Sequence, residues 1–399
     1  MKLSNNVMSM QFSPIRKFNG YAFDAKKKGK KVYHLNIGQP DISTPPAFLE
    51  AVKNFDETVL AYAESGGDTK LIEAVIQYFS RFGAKIETED ILITNGGSEA
   101  LQMVFSCILD PGDQVMMAEP FYTNYHTFIA AAGGEIAPIT TTAEEGYFYA
   151  DPVKLEKAYT ENCKAIAIVN PGNPTGCTLS EADIQVICDF AVKHDLWIVA
   201  DEVYREFVYD GGKMNTFAKY PAIADRLIIV DSVSKRFSAC GARVGFVLTK
   251  NKDMQDGLMK IAQGRLCCPT LEMLGAAALY ELPGEYFNET RTEYEQRRDC
   301  VYRELMKIPG IVCQKPGGAF YIMAKLPVES TDDFLVWLLT EFDDGGETVM
   351  YAPAEGFYAT PGLGKSEIRI AYILKQEDLV RAIELIRLGL EKYKAEGHR

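Results

Sequence analysis

The chain has 399 residues, 47% hydrophobic and 24% charged, with 42 Lys and Arg against 55 Asp and Glu and a formal net charge of −13. That balance excludes a collagen-like or disordered chain and argues against nucleic acid or an anionic membrane as the main partner. The nine cysteines show no paired C-x-x-C spacing, and Cys267 and Cys268 are adjacent, so they read as free thiols in a reducing compartment. No run approaches the ~20 apolar residues of a membrane span, and the N-terminus lacks the charged start and apolar run of a signal peptide, so a soluble cytoplasmic protein is expected.

Along the chain, residues 1–46 hold little helical periodicity. Short runs rich in Ile and Val follow at 91–94, 114–118, 165–169, 197–200, 227–230 and 244–248. They are apolar on both faces, as strands covered by helices on both sides should be. Between them lie amphipathic stretches with helical spacing: Leu71, Ile72, Val75, Ile76 and Phe79; then Leu101, Val104, Phe105 and Ile108; then Ile184, Val186, Ile187 and Phe190. This alternation predicts an α/β fold with a mostly parallel sheet, whose ligand sits beyond the carboxyl ends of the strands. Past Pro283 the texture changes to a long polar helix over 285–307, a hairpin-like piece at Gly317-Gly318-Ala319-Phe320-Tyr321-Ile322-Met323, and a closing helix from Gln376 to about Lys394. The expected division is a large domain over 47–284 and a smaller α+β domain over 285–399, with segment 1–46 packing on the latter.

Four motifs follow strand-like runs directly. Ser232-Val233-Ser234-Lys235 puts an amine at a strand end, and its hydroxyls with Arg243 are groups that a phosphate dianion needs. Asn170-Pro171-Gly172-Asn173-Pro174-Thr175-Gly176 offers an amide to a phenolate oxygen. Asp201-Glu202-Val203-Tyr204 opens with a carboxylate that is costly after an apolar strand unless paired, as a pyridinium N–H would pair it. Thr94-Asn95-Gly96-Gly97-Ser98 leads into a helix start, an anion site. Each also has a plain reading: a solvated lysine, a capped turn, a helix-capping Asp, a Ser cap. No Gly-x-Gly-x-x-Gly occurs, which counts against a dinucleotide, and nothing suggests a metal. Together the four supply an amine, a phosphate cradle, a pyridine partner and a phenolate partner, and the ligand with all four needs is pyridoxal 5′-phosphate.

The run Ser-Val-Ser-Lys-Arg-Phe-Ser-Ala-Cys-Gly-Ala-Arg-Val-Gly, 232–245, resembles the lysine signature of class I/II aminotransferases, the aspartate-aminotransferase-like, fold-type-I pyridoxal-phosphate enzymes. The resemblance runs from about Tyr33 to the last helix and implies a seven-stranded large-domain sheet. It implies that Lys235 bonds covalently to the cofactor, Asp201 pairs with the ring nitrogen, and Asn173 and Tyr204 bind the ring oxygen. Gly97, Ser98, Ser232, Ser234 and Arg243 would hold the phosphate, and Tyr122 would stack on the ring. Tyr62 would reach the phosphate of a neighbouring subunit, implying a homodimer with shared sites. Gly38 marks a segment that closes on substrate, and Arg369 grips the substrate α-carboxylate.

The expected reaction moves an amino group from an L-amino acid to a 2-oxo acid such as 2-oxoglutarate. Aspartate is the first choice of donor, with aromatic and aliphatic amino acids open. Arg265 and Arg16 are candidate readers of a side-chain carboxylate, although each reads more readily as an exposed structural arginine. The segment 357–364, less typical of the family, is expected to lie outside the core chemistry. A carbon–sulfur lyase on the same fold and a non-catalytic cofactor-binding regulator are the alternatives.

Overall fold

In the computed structural model, which describes residues 1–398, the apolar runs become a seven-stranded sheet. Among the described residues there are thirteen strands: β1 Lys31–His34, β2 Ile91–Thr94, β3 Gln114–Glu119, β4 Glu135–Thr140, β5 Cys163–Val169, β6 Trp197–Asp201, β7 Leu227–Ser232, β8 Gly245–Thr249, β9 Val312–Cys313, β10 Tyr321–Lys325, β11 Glu347–Met350, β12 Ala352–Pro353 and β13 Glu367–Ala371. The large sheet has the order β2-β8-β7-β6-β5-β3-β4. All its pairings are parallel except those of β8, which runs antiparallel to both neighbours.

Alternate residues of the central strands enter different packing layers. Ile166, Ile198, Ala200 and Ile229 join the core that includes helices Thr69–Ser80, Glu181–Lys193 and Thr270–Tyr280. Ala165, Ala167, Val199, Ile228 and Val230 join the opposite core, with helices Gly96–Ile108 and Lys252–Arg265. This two-sided burial is why these strands carry no polar alternation. Helix starts are fixed locally: Asp68 accepts from Leu71 N–H at 3.1 Å, and Ser180 forms a capping box with Asp183.

A second, antiparallel sheet has the order β12-β13-β10-β9, with Met323 opposite Arg369. Its core takes in Phe18, Ala22, Val32, Tyr33 and Leu35 from the N-terminal segment, and β1 pairs in parallel with β11.

Three details differ from the sequence expectations. The edge strand β4, Glu-Ile-Ala-Pro-Ile-Thr, escapes notice because Pro138 interrupts it and only half of it is apolar. The first 46 residues contain the helices Asn5–Ser9 and Asn19–Lys27, the first with no buried residue and the second burying only Ala22 and Ala25, so neither leaves an apolar stripe to read. Gly317–Phe320 is the irregular part of the connection between the antiparallel strands β9 and β10, and of the hairpin-like piece only Tyr321–Met323 is strand.

Ile229 is fully buried at the centre of the sheet. Ile229→Ala should lower the unfolding free energy by about 2–5 kcal/mol. Denaturant titration followed by far-ultraviolet circular dichroism measures this, and a loss under ~1 kcal/mol would contradict the close packing of this layer.

Candidate active site

The carboxyl ends of β5, β6 and β7 open into one cavity of about 420 Å³. Asn173, Asp201, Ser232, Ser234 and Lys235 line it from the large sheet, with Gly97 and Ser98 at a helix start and Tyr122 beyond β3. From the opposite side come Gly38 on the N-terminal segment, Tyr321 on β10 and Arg369 on β13. The four sequence motifs thus meet at one place.

Lys235 Nζ donates to the Gly38 carbonyl at 2.8 Å and lies 3.9 Å from the Cys240 thiol. Gly38 must be glycine, because a Cβ there would stand 1.9 Å from the Tyr321 hydroxyl, itself buried.

Asp201 is a buried carboxylate with no cationic partner among the described residues. Its Oδ1 accepts from Val203 N–H at 3.2 Å and its Oδ2 from the Tyr125 hydroxyl at 3.1 Å. Burial pushes its carboxyl up to about 7, with Asp231 adding repulsion, while those two hydrogen bonds oppose the rise. Asn173 Nδ2 donates to the Tyr204 hydroxyl at 3.3 Å, and that hydroxyl lies 3.0 Å from the Tyr321 hydroxyl. Burial, reinforced by Tyr321, holds the Tyr204 phenol well above its ordinary range, and Tyr122 is pushed up to about 12 by burial and then Tyr321. Both are neutral donors at physiological pH.

Arg369 is the mirror of Asp201: a guanidinium only 2% exposed, with no ion pair among the described residues. It donates to Asn173 Oδ1 at 3.2 Å and to the Asn36 carbonyl at 2.6 Å, and its Nε has no partner. Burial lowers its pKa, yet an arginine stays charged. A ligand carboxylate would satisfy the free Nε and the charge together.

The anion cradle is built by close backbone approach. Arg243 sits in the left-handed region at φ 52° and donates to the Asn95 and Cys240 carbonyls at 3.2 and 3.0 Å. Gly96, at φ +78°, leaves room for it: a Cβ there would fall 2.5 Å from Arg243 Nη2. The donors around the cavity fit pyridoxal 5′-phosphate, because the unpaired Asp201 carboxylate wants a ring N–H and the Gly96–Arg243 corner wants an anion. Among the described residues no cluster of His, Cys, Asp and Glu could hold a metal ion, and no helix is long and apolar enough to cross a membrane.

Tyr62, expected at the phosphate of a neighbouring subunit, is 81% exposed and outside this chain's own cavity. Arg265 is engaged elsewhere, donating to the Ser65 and Ile93 carbonyls and facing Glu99 at 3.7 Å, so it is no reader of a ligand in this chain's own cavity. Arg16 does line the cavity, and its side chain has no hydrogen bond or ion pair among the described residues. The segment 357–364, expected to lie outside the core chemistry, borders the site: the Phe357 ring lies 5.0 Å from the Arg369 guanidinium. Sequence reading missed Tyr321, although it stands in the quoted Gly-Gly-Ala-Phe-Tyr run, and Tyr125, which lies in the first turn of helix Asn124–Ala131 just past Tyr122.

Comparison with known proteins agrees with this geometry. Residues 30–386 match the family model described as aminotransferase class I and II. An aspartate aminotransferase of Bacillus subtilis (strain 168) is 32% identical, with 98% of this chain and 100% of that protein aligned. The structure of an alanine aminotransferase from Pyrococcus furiosus superposes with a TM-score of 0.89 at 29% identity, over 98% of this chain and 100% of that one. A Thermus thermophilus aspartate aminotransferase structure with maleate gives a TM-score of 0.86 at 26% identity, with the same coverage.

The raised carboxyl of Asp201 has a consequence for the cofactor-free protein. A group whose folded pKa lies near 7, against about 3.8 when unfolded, stabilises the fold while protonated and loses that contribution as pH rises through 7. The stability of the wild type relative to Asp201→Asn should therefore fall by about 2–4 kcal/mol between pH 4 and pH 8. Parallel denaturant titrations across that range measure the difference, and a flat one would show that Asp201 is ionised throughout.

Proposed function

Because this chain belongs to the class I and II aminotransferase family and is an aminotransferase, we propose that it works with pyridoxal 5′-phosphate bound covalently at Lys235. The amino group passes from an L-amino acid, aspartate first, to a 2-oxo acid such as 2-oxoglutarate. The observation that carries this reading is the pair of unpaired buried charges, Asp201 and Arg369, lining the same cavity as the Lys235 amine.

Asp201 would hold the protonated ring nitrogen and, paired with it, stay ionised. Asn173 and Tyr204 would hold the ring oxygen. The N–H groups at Gly97 and Ser98, the hydroxyls of Ser232 and Ser234, and Arg243 would hold the phosphate, with Tyr122 against the ring. When bound, the cofactor supplies an electron sink for negative charge developing at the substrate Cα.

The chain's own groups do the rest. Arg369 orients the substrate by its α-carboxylate, through the Nε left free and the two donors now spent on Asn173 and Asn36. Lys235, with its amine free, would take the proton from the substrate Cα and return it at the carbon on the far side of the substrate nitrogen, as general base and then acid. The Gly38 carbonyl, already the acceptor of its Nζ, aims that amine. The Gly38 segment and Tyr321 roof the site against water.

Four cations line the cavity: Lys235, Arg243, Arg369 and Arg16. The first three have assigned tasks, so Arg16 is the group for a side-chain carboxylate, and the dicarboxylates aspartate and 2-oxoglutarate suit it. The exposed Tyr62 is available to the phosphate of a second copy, in a homodimer with shared sites. We read the working units as 47–284 and 285–399, with 1–46 moving with the latter.

Lys235→Ala should abolish the visible absorbance of the loaded protein and cut turnover by about 10³-fold or more. A variant that still transaminates at the wild-type rate sinks the assignment. Arg16→Gln should raise KM for aspartate about 5- to 20-fold while leaving KM for alanine nearly unchanged. A panel of donors with 2-oxoglutarate checks both, and equal effects on the two donors would remove Arg16 from specificity.

A further inference from the structure

Tyr321 sits where the two sheets face each other across the cavity and has a contact in each direction. It is 2% exposed at the first position of β10, opposite Ala371 of β13. Toward the large sheet, its hydroxyl lies 3.0 Å from the Tyr204 hydroxyl, with the two rings edge to face at 5.6 Å. Toward the small sheet, its ring face lies 4.7 Å from the Arg369 guanidinium. The Gly38 Cα lies against its hydroxyl end so closely that no Cβ fits.

We propose that Tyr321 is a positioning residue with two outputs: its hydroxyl fixes Tyr204 as a donor toward the cofactor oxygen, and its ring face holds Arg369 for the substrate carboxylate. The proposal rests on the pyridoxal-phosphate reading above.

The hydroxyl part follows from counting donors. Asn173 Nδ2 already donates to the Tyr204 oxygen. If Tyr321 donates to it as well, the Tyr204 oxygen accepts two hydrogen bonds and its single proton is left for the cavity. Accepting hydrogen bonds also polarises a hydroxyl and strengthens the bond that it donates. The ring part follows from electrostatics. A guanidinium stripped of water and lacking a carboxylate gains from an aromatic face, which neutralises nothing and so leaves the charge available to a ligand. The other ionisable groups acting on Tyr204 are Asp201 and Tyr122, and Arg369 senses Tyr204 and Tyr122 as well as Tyr321. Neither supplies the second donor to Tyr204: Asp201 is an acceptor when ionised, and among the described residues the Tyr122 hydroxyl is hydrogen-bonded to Asn124, which donates to it, and not to Tyr204.

The test uses the full-length protein loaded with pyridoxal 5′-phosphate. A donor to the ring oxygen favours the form with fuller negative charge there, the form left when the Lys235 linkage loses its proton. Weakening that donor makes the proton harder to remove. Tyr321→Phe should therefore raise the pH midpoint of the visible absorbance change by roughly 0.4–1 unit, with little change in KM because the ring stays. In a Tyr204→Phe background, adding Tyr321→Phe should shift the midpoint no further. Tyr321→Leu, lacking the ring, should weaken binding of the unreactive dicarboxylate maleate about 3- to 10-fold.

An unmoved midpoint in Tyr321→Phe, or an equal further shift without Tyr204, overturns the hydroxyl role, and unchanged maleate affinity in Tyr321→Leu overturns the ring role. Should Tyr321→Leu fail to fold, Tyr321→Met, which also lacks the ring, takes its place in the maleate measurement with the same two outcomes. A wild-type protein that takes up no cofactor defeats the pyridoxal-phosphate reading itself, whereas a wild type that titrates beside an unmoved variant defeats only the role of Tyr321.

Discussion

Two opposite charges are buried around one cavity and kept from neutralising each other: the Asp201 carboxylate at the end of β6 and the Arg369 guanidinium on β13. Burying an ion costs several kcal/mol unless a partner offsets it. Elsewhere this protein supplies the partner. Asp231 is flanked by Arg205 and Arg236, Arg205 also meets Glu202, and Arg298 meets Asp210. At the cavity, Asp201 has only an N–H and a phenol, and Arg369 only two neutral oxygens and two aromatic faces. Those neutral partners hold the geometry without cancelling the charge. A ligand with a cationic ring nitrogen and an anionic carboxylate completes both at once, so the energy withheld in the empty fold becomes available for binding.

The paired ions make the unpaired ones possible. Asp231 precedes Ser232 directly, and its Oδ1 accepts from the Ser232 N–H at 2.7 Å. Held by two buried arginines, it anchors the end of β7 just where the hydroxyls of Ser232 and Ser234 and the amine of Lys235 must be presented. Glu202 does the same one residue beyond Asp201, accepting from Arg205, from Phe217 N–H and from the Thr216 hydroxyl. A loop lacking these buried pairs would let Asp201 swing toward a cation, and the charge separation that defines the site would be lost.

Much of this was legible in the sequence, and the boundary is physical. Strands buried on both faces announce themselves as unbroken Ile and Val runs, and a lysine, an aspartate and an asparagine placed directly after three of them are then referred to a common edge by sheet topology alone. Local signals of that kind located Lys235, Asp201, Asn173 and Ser232. Arg369 needed the family resemblance, since no local pattern distinguishes it from a surface arginine on a strand. Tyr321 and Tyr125 were invisible because their function is to touch another side chain from a distant segment: the two hydroxyls at 3.0 Å belong to residues 117 apart in the chain. The edge strand β4 and the N-terminal helices failed for a different reason, having too little buried apolar surface to leave a periodicity.

The stretch beginning at Glu355 shows how a segment without catalytic residues controls the site. Glu119, fully buried at the end of β3, accepts from the N–H groups of Ala359 and Thr360 at 3.0 Å each, and from the hydroxyls of Thr360 and Thr140 at 2.7 and 3.0 Å. Four neutral donors on one carboxylate make a rigid joint between the large sheet and this segment. The Phe357 carbonyl adds another, accepting from Phe121 N–H at 2.9 Å. Phe357 so placed turns its ring to Arg369, and Ala352, just ahead in β12, pairs with Arg369 in the sheet. Arg369 is therefore positioned from the β3 end of the large sheet as well as from its own strand. The Glu119 joint and the Phe357 face are the two features by which this stretch bears on Arg369.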